Sequence, residues 1–164
     1  MAHADELLDL ARLLVDLEPP NATQASLRRA VSTAYYALFH LLISEATLNW
    51  EEAEFRHELG RVFEHGKMKA ASTELRSRLD REMGGLVPGT PEHDLRVKLR
   101  RVAKTFGDLQ YLRNQADYNT AYDWNKEDVA MHIRDVALAF EAWRQIRREK
   151  IAQGYLVSML GKRP

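Results

Sequence analysis

Apolar residues recur at intervals of three and four along almost the whole chain, and no stretch of useful length alternates apolar and polar residues. The first spacing puts apolar side chains on one face of an α-helix, whereas alternation is what a half-buried strand requires. The sequence therefore predicts an all-α bundle without a sheet. A chain of 164 residues can bury its own core as one domain, so we expect a single domain over residues 1–164.

Boundary signals divide this pattern into five or six helices, with the core between the second helix and the two long C-terminal ones. Pro19-Pro20 stops the first helix, and Asn21, with Gln24 three residues later, is the predicted N-cap of a second helix that runs to about Trp50. A third helix is predicted from Phe55 to Phe63, loosening at Gly66, followed by a fourth over about 68–82 and a loop at 84–90. A fifth helix is predicted from the Thr90 N-cap and Pro91 to about Tyr118. The last helix is predicted from Asn125, with Asp128, to about Ser158, weakened at Gly154, and a flexible tail follows at 159–164.

Charge and cysteine content narrow the function classes. The chain has 24 basic and 24 acidic residues, so a role with nucleic acid must depend on local patches such as the basic runs at 96–104 and 144–150, which are otherwise solvated helix faces. The absence of cysteine excludes disulfides, thiolate nucleophiles and zinc–thiolate sites. No apolar run has the length of a membrane span and the first twenty residues are acidic, so we expect a cytoplasmic protein with no membrane partner.

A polar cluster lies at the predicted end of the fifth helix, in the stretch "LRNQADYNTA" at 112–121. On a helix, Arg113 and Asp117 are neighbours four residues apart, and so are Asn114 and Tyr118. Two interpretations stay open. The cluster is either an intrahelical ion pair beside a tyrosine that folds onto the core, or an arginine that Asp117 holds in place for an anion such as a phosphate.

The second helix offers a partner surface for this cluster. Arg29, Thr33, Tyr36 and His40 follow one another at intervals of four, three and four, so they share one stripe, with Ser32 beside it. His40 is either a packed histidine or an acid/base group, because its ordinary pKa is close to neutrality. The opposite, core-facing side consists of Leu27, Val31, Ala34, Leu38 and Leu42.

Other chemistry is weakly represented. Glu54 and His57 have the Glu-x-x-His spacing of bundle metal proteins, but a dimetal site needs that motif twice and it occurs once. There is also no glycine-rich phosphate loop. We therefore expect no metal and no cofactor. The tryptophans are expected to be packing anchors rather than base-stacking platforms: Trp50, Trp124 and Trp143.

Three stretches in order resemble the HEPN-domain family, and more narrowly its small stand-alone bacterial and archaeal branch. They are "RRAVSTAYYALFHLLIS" at 28–44, with a Tyr-Tyr-Ala-x-Phe-His element, "FRHELGRVFEHGKMKAASTELRSRL" at 55–79, and "LRNQADY" at 112–118, with an Arg-x-x-Ala-Asp-Tyr element. The resemblance implies an up-and-down helical bundle that forms a homodimer with a polar cleft at the interface. It also implies a toxin–antitoxin or other defence setting, in which a nucleotidyltransferase-type antitoxin is a possible partner.

Many members of the family cleave RNA with an Arg-x(4–6)-His motif, and this chain departs from that pattern. The positions where the histidine would follow Arg113 hold Tyr118, Asn119 and Thr120, and none of the six histidines has an arginine five to seven residues before it. Tyrosine, with a pKa near 10, is a poor substitute for histidine in proton transfer. A non-enzymatic role is therefore favoured over catalysis.

The sequence leads to one main hypothesis and two alternatives. The main hypothesis is a HEPN-like protein that binds RNA or nucleotide phosphate at a dimer cleft. The alternatives are a non-catalytic protein-interaction module with a structural polar cluster, and a ribonuclease in which Arg113 and His40 are catalytic. The predicted ligand-binding residues are Arg113, Asn114, Asp117, Tyr118, Tyr36, His40 and Arg29.

Overall fold

The structure is a computed structural model that describes residues 2–18, 21–48 and 50–161. Within these ranges the chain forms seven α-helices and no strand, which confirms the all-α prediction and exceeds the five or six helices expected. None of the described helices combines the length and the low polarity needed to cross a bilayer. The helices are α1 (Ala2–Val15), α2 (Gln24–Thr47), α3 (Ala53–Gly60), α4 (His65–Met83), α5 (Pro91–Tyr118), α6 (Lys126–Ile146) and α7 (Lys150–Ser158).

Helix α2 is the centre of the bundle. It packs against α1, α5 and α6, with smaller contacts to α3 and α7, while α4 packs on α5 and α7. The predicted core between α2, α5 and the C-terminal helices is confirmed, and the five predicted core-facing residues of α2 are all buried. The largest fully buried side chains come from five helices and include Tyr35, Leu38, Met68, Leu79, Phe106, Phe140, Trp143 and Tyr155.

Two of the three predicted N-caps are correct. The Thr90 side chain accepts from the backbone N–H of His93 at 3.4 Å, with Pro91 at the first helical position. The Asn125 side chain accepts from the N–H of Asp128 at 2.7 Å. Both caps satisfy donors that the first turn of a helix otherwise leaves unpaired. Helix α5 also ends at Tyr118, where the sequence placed its end.

The predicted Asn21 cap of α2 is wrong, because Thr23 takes that position. The Thr23 hydroxyl accepts from the N–H of Ser26 at 3.2 Å, and the Ser26 hydroxyl accepts from the N–H of Thr23 at 2.9 Å, a reciprocal capping box. The side-chain amide of Gln24 instead forms two hydrogen bonds with the backbone of Trp124, donating to its carbonyl at 2.7 Å and accepting from its N–H at 2.9 Å. Pro19-Pro20, the predicted stop of the first helix, lies outside the described residues.

Other helix boundaries differ from the prediction because packing sets them. The last helix breaks at 147–149 rather than at Gly154, which lies inside α7. At that break the Nε of Arg147 is 2.9 Å from an oxygen of Glu45, whose side chain is only 2% exposed. The turn brings Tyr155 and Met159 onto the core, although Met159 belongs to the segment expected to be a flexible tail. The end of that segment, 162–164, lies outside the described residues.

The region between α2 and α4 is less buried than expected. Helix α2 ends at Thr47, and Trp50 is 50% exposed, so the packing role predicted for it is wrong, whereas Trp124 and Trp143 are buried as predicted. Phe55 and Val62 are also about half exposed. Helix α4 begins at His65, earlier than predicted and without loosening at Gly66. This early start brings His65 against α2.

Candidate functional site

Arg113 lies in the last turns of α5 and is largely buried, with a side chain 19% exposed. Its Nε is 2.7 Å from Oδ2 of Asp117, the predicted neighbour four residues later. The Nε–H does not point at that oxygen, so the contact is an ion pair without a directed hydrogen bond. The other carboxylate oxygen of Asp117 accepts from the hydroxyl of Ser32 on α2. Asp117 therefore links the arginine to the central helix.

The guanidinium of Arg113 lies between two tyrosine rings. Its Nη2 donates to the hydroxyl of Tyr36 at 2.9 Å, and its Nη1 donates to the side-chain oxygen of Asn114 at 3.2 Å. Its Cζ is 5.6 Å from the centre of the Tyr36 ring and 5.7 Å from that of Tyr118, both within cation–π range. We call these five residues the Arg113 site: Tyr36, Arg113, Asn114, Asp117 and Tyr118.

Unused hydrogen-bond donors are concentrated at the Arg113 site. A guanidinium has five N–H groups. Two of those of Arg113 form hydrogen bonds with described residues, the Nε–H is buried beside Asp117, and one N–H on each terminal nitrogen is unused. Tyr36 and Asn114 each accept a hydrogen bond from Arg113, while the Tyr36 O–H and the Asn114 amide N–H groups donate to no described residue. The Asp117 oxygens, by contrast, are engaged by Ser32 and Arg113. A set of free donors beside an occupied acceptor favours an anion as the ligand.

The charge of Arg113 is secure. Partial burial acts to lower its pKa, but Tyr36 and the Asp117 carboxylate outweigh burial and raise the pKa of Arg113 above its usual value. The guanidinium thus stays positive in a partly desolvated place, where electrostatic attraction to an anion is stronger than on an open surface.

His65 belongs to this neighbourhood, and the sequence did not identify it. Its Nδ1 is 2.6 Å from the hydroxyl of Tyr35, and its ring stacks on Phe39 with centroids 4.4 Å apart. It also meets the Tyr36 ring edge-on at 6.1 Å. Burial and the positive charge of Arg113 lower the pKa of His65. No spacing rule finds this residue, because its position depends on where α4 begins and on the packing of α4 against α2.

His40 lies between Tyr36 and His3 of α1. Its ring centre is 6.3 Å from that of Tyr36 and 5.0 Å from that of His3. Burial is the main cause that lowers the pKa of His40, followed by His3 and then His65. His40 therefore shares Tyr36 with Arg113 but makes no hydrogen bond or ion pair with it.

The predicted stripe on α2 is only partly brought to the site. Arg29 is exposed and forms no hydrogen bond or ion pair with any described residue, and Thr33 is buried. The preceding residue, Arg28, makes the contact with α5. Its two terminal nitrogens donate to four backbone carbonyls at 2.6–3.2 Å, which hold the end of α5 and the turn that follows it. The carbonyls belong to Ala116, Asn119, Thr120 and Tyr122.

The remaining candidates from the sequence, the Glu54–His57 motif and the two basic runs, form no binding site among the described residues. Glu54 and His57 are both exposed, and the described residues include no group of three or more histidine and carboxylate side chains placed to hold a metal. Several arginines and lysines of the two basic runs form ion pairs, so these runs are mostly charge-paired helix faces. The pairs are Arg96 with Glu82 and Glu92, Arg100 with Asp80, Lys104 with Asp108, Arg144 with Asp5, and Arg147 with Glu45.

A cavity of about 620 Å³ lies away from the Arg113 site, between α4, α5 and α6. Apolar side chains such as Leu109 and Leu138 line it together with Arg100, Lys104 and Asp108. Arg100 and Lys104 already bind carboxylates there, while Arg101, also in the lining, is exposed and forms no ion pair or hydrogen bond with a described residue. Volume favours this cavity, whereas the grouping of unused donors around a partly buried guanidinium favours the Arg113 site.

Comparison of the chain with protein-family models, with curated proteins and with solved structures gives no match.

Proposed function

We propose that this protein is a HEPN-type, non-enzymatic homodimer that binds RNA through a phosphate group at the Arg113 site. The observation that carries the proposal is the concentration of unused donors around a guanidinium that Asp117 and Tyr36 already hold in place. A phosphate has only acceptor oxygens, and arginine recognises it through paired N–H groups. Because the arginine is fixed before binding, less side-chain entropy is lost when the phosphate arrives.

The aromatic surroundings support RNA rather than a small inorganic anion as the ligand. Tyr118 is 75% exposed, and its ring lies beside the guanidinium. An exposed tyrosine face can stack an unpaired base while the neighbouring arginine holds the adjacent phosphate. The balanced net charge of the chain agrees with a short local contact rather than with a long basic groove.

An exposed stripe on α5 supports the shared cleft. Tyr111 and Tyr118 are seven residues apart with Asn114 between them, so the three lie on one face of the helix. Tyr111 is 58% and Tyr118 75% exposed. Tyrosine is enriched at protein interfaces, where its ring packs and its hydroxyl binds. A second copy seated on this stripe would turn the open Arg113 site into a cleft.

A defence setting with a nucleotidyltransferase-type partner belongs to the same proposal and rests on the sequence resemblance alone.

RNA binding by an Arg113→Gln variant tests the proposal. Loss of a charge-assisted contact should weaken binding of a fluorescent single-stranded RNA by roughly ten- to one hundredfold. Affinity for the unchanged protein should also fall as salt rises, since phosphate binding releases counterions. The matched control is Arg81→Gln, because Arg81 is exposed and pairs with no described residue. Equal affinities of the two variants would refute the proposal.

Light scattering at micromolar concentration tests the dimer. We expect the mass of two chains for the unchanged protein and of one chain for Tyr111→Asp, because a carboxylate would be buried unpaired at the interface. Val87→Asp is the control, since Val87 is 69% exposed in the loop before α5, roughly 30 Å along the helix from Tyr111. A monomer before any substitution would exclude the shared cleft.

A ribonuclease is the second candidate function, and one observation favours it. The lowered pKa values of His40 and His65 leave neutral imidazoles around Tyr36 at neutral pH, which is the form a general base needs. Incubation with total RNA in the presence of EDTA should give products if a histidine catalyses cleavage without metal. If His40→Ala abolishes cleavage, the activity belongs to His40. If the unchanged protein gives no products, the ribonuclease is excluded and the non-enzymatic RNA-binding function remains.

A further inference from the structure

Tyr35 fixes both the position and the protonation of the His65 ring. Its side chain is fully buried, and burial raises the pKa of Tyr35 far above its usual value, so the hydroxyl keeps its hydrogen. The only hydrogen-bond partner of that hydroxyl among the described residues is Nδ1 of His65, at 2.6 Å. A buried O–H without an acceptor is costly, so the hydrogen must point at Nδ1. Nδ1 is therefore the acceptor.

It follows that Nε2 of His65 carries the proton. A neutral imidazole has one N–H, and with Nδ1 accepting, that N–H is at Nε2. Burial and the neighbouring Arg113 charge both lower the pKa of His65, which keeps the ring neutral near pH 7. His65 is thus held as an Nε2–H donor.

This donor is open to a ligand. Nε2 of His65 forms no hydrogen bond with any described residue and is not among the buried unpaired atoms, so it reaches solvent. The ring lies edge-on to Tyr36, whose hydroxyl accepts from Arg113. The main chain of His65 is also held, because the side-chain amide of Gln110 donates to its carbonyl at 3.0 Å. His65 is therefore a rigid donor on the same tyrosine as Arg113.

We propose that His65 is a second phosphate-binding residue of the Arg113 site, donating its Nε2–H to a phosphate oxygen while Nδ1 stays bonded to Tyr35. This inference rests on the proposed function and extends it to α4, from which the sequence predicted no ligand-binding residue. The phosphate is held from two helices at once, by a cation from α5 and a neutral donor from α4. Arg113 supplies attraction at long range, and His65 supplies direction at short range.

Two substitutions of His65 separate ligand binding from a structural role. The amide of asparagine coincides with Nδ1 of histidine, whereas the amide of glutamine reaches the place of Nε2. His65→Asn keeps an acceptor for Tyr35 and loses the outer donor, so we expect fluorescent single-stranded RNA to bind roughly tenfold more weakly. His65→Gln keeps the outer donor, and its affinity should stay within about threefold of the unchanged protein. His57→Asn is the control, because His57 is exposed on α3 and its one hydrogen-bond partner among the described residues is Arg61.

The opposite order would overturn the inference: if His65→Asn binds normally and His65→Gln does not, the ring serves Tyr35 alone. Arg113→Gln, measured beside them, separates the two proposals. If Arg113→Gln weakens binding while both His65 variants bind normally, only the assignment of His65 fails. If Arg113→Gln has no effect, the proposed function fails.

Imidazole nitrogen NMR tests the same inference without substituting His65. At neutral pH the His65 spectrum should show a protonated Nε2 and an unprotonated Nδ1, and added inorganic phosphate should shift the Nε2 signal more than that of His57. Tyr35→Phe should convert His65 to a mixture of both neutral forms. A His65 ring protonated at Nδ1, or an Nε2 signal that phosphate leaves unchanged, would contradict the proposal.

Discussion

The two halves of α5 differ in the number of their arginines and in the surroundings of each arginine. In the N-terminal half, Arg96 and Arg100 form ion pairs with carboxylates of α4, and Lys104 pairs with Asp108 on the same helix. In the C-terminal half, Arg113 is the only arginine, yet it is held by Asp117 and by two aromatic rings. Charge density singles out the first half, whereas free donors in a partly desolvated place single out the second.

The difference teaches that a basic run and a basic site are separate properties. A cation that meets a carboxylate across a helix interface has its charge neutralised, and the exposed pair contributes little to stability. Arg113 is also paired, but the other oxygen of Asp117 is bound to Ser32, and one N–H on each terminal nitrogen of the arginine donates to no described residue. Partial burial strengthens each of these contacts relative to water.

The largest expected effect concerns the clamp that holds the C-terminal end of α5. Arg28→Ala removes hydrogen bonds to four carbonyls and should lower the free energy of unfolding by about 2 kcal/mol, measured by urea denaturation. Arg29→Ala removes the same charge one residue later from an exposed side chain that pairs with no described residue, so it should change stability by less than about 0.5 kcal/mol. Equal losses would mean that charge, and not the clamp, stabilises this end.

A smaller effect compares two ion pairs of identical spacing on one helix. Lys104 with Asp108 and Arg113 with Asp117 are both four residues apart, but the first pair has side chains 51% and 46% exposed and the second 19% and 28%. Double-mutant cycles should give a coupling of about 0.3–0.5 kcal/mol for the exposed pair and about 1 kcal/mol for the other. If both couplings were alike, the surroundings of Arg113 would confer no special strength.

Much of the fold could be predicted because it depends on local sequence patterns. Apolar spacing predicted the helices, and Thr90 and Asn125 were identified as caps from residue type and position alone. The break at 61–64 directly follows Gly60, whereas the break at 147–149 neither contains nor adjoins a proline or glycine, so no local signal predicts it. The second break is associated with a distant contact, between Arg147 and Glu45 on α2. Contacts of that kind depend on the assembled bundle.

The site was predictable to the same extent. The pairing of Arg113 with Asp117 follows from helix geometry within one element, and it is present. Which face of α2 meets α5 depends on packing, and consecutive residues differ by about 100° around a helix. That rotation is why Arg28, and not the predicted Arg29, contacts α5. His65 needed a third element, α4, whose start the sequence placed three residues too late.

The smallest expected effect is the salt dependence of two histidine pKa values, which distinguishes by sign the surroundings of Arg113 from the acidic surroundings of His132 on α6. Burial lowers the pKa of both His65 and His132, but Arg113 lowers that of His65 further, whereas Asp135, Asp128 and Asp108 act to raise that of His132. Added salt screens both influences. In NMR titrations, rising sodium chloride should therefore raise the pKa of His65 and lower that of His132. A His65 pKa that stays constant or falls as salt rises would mean that the charge of Arg113 does not reach His65.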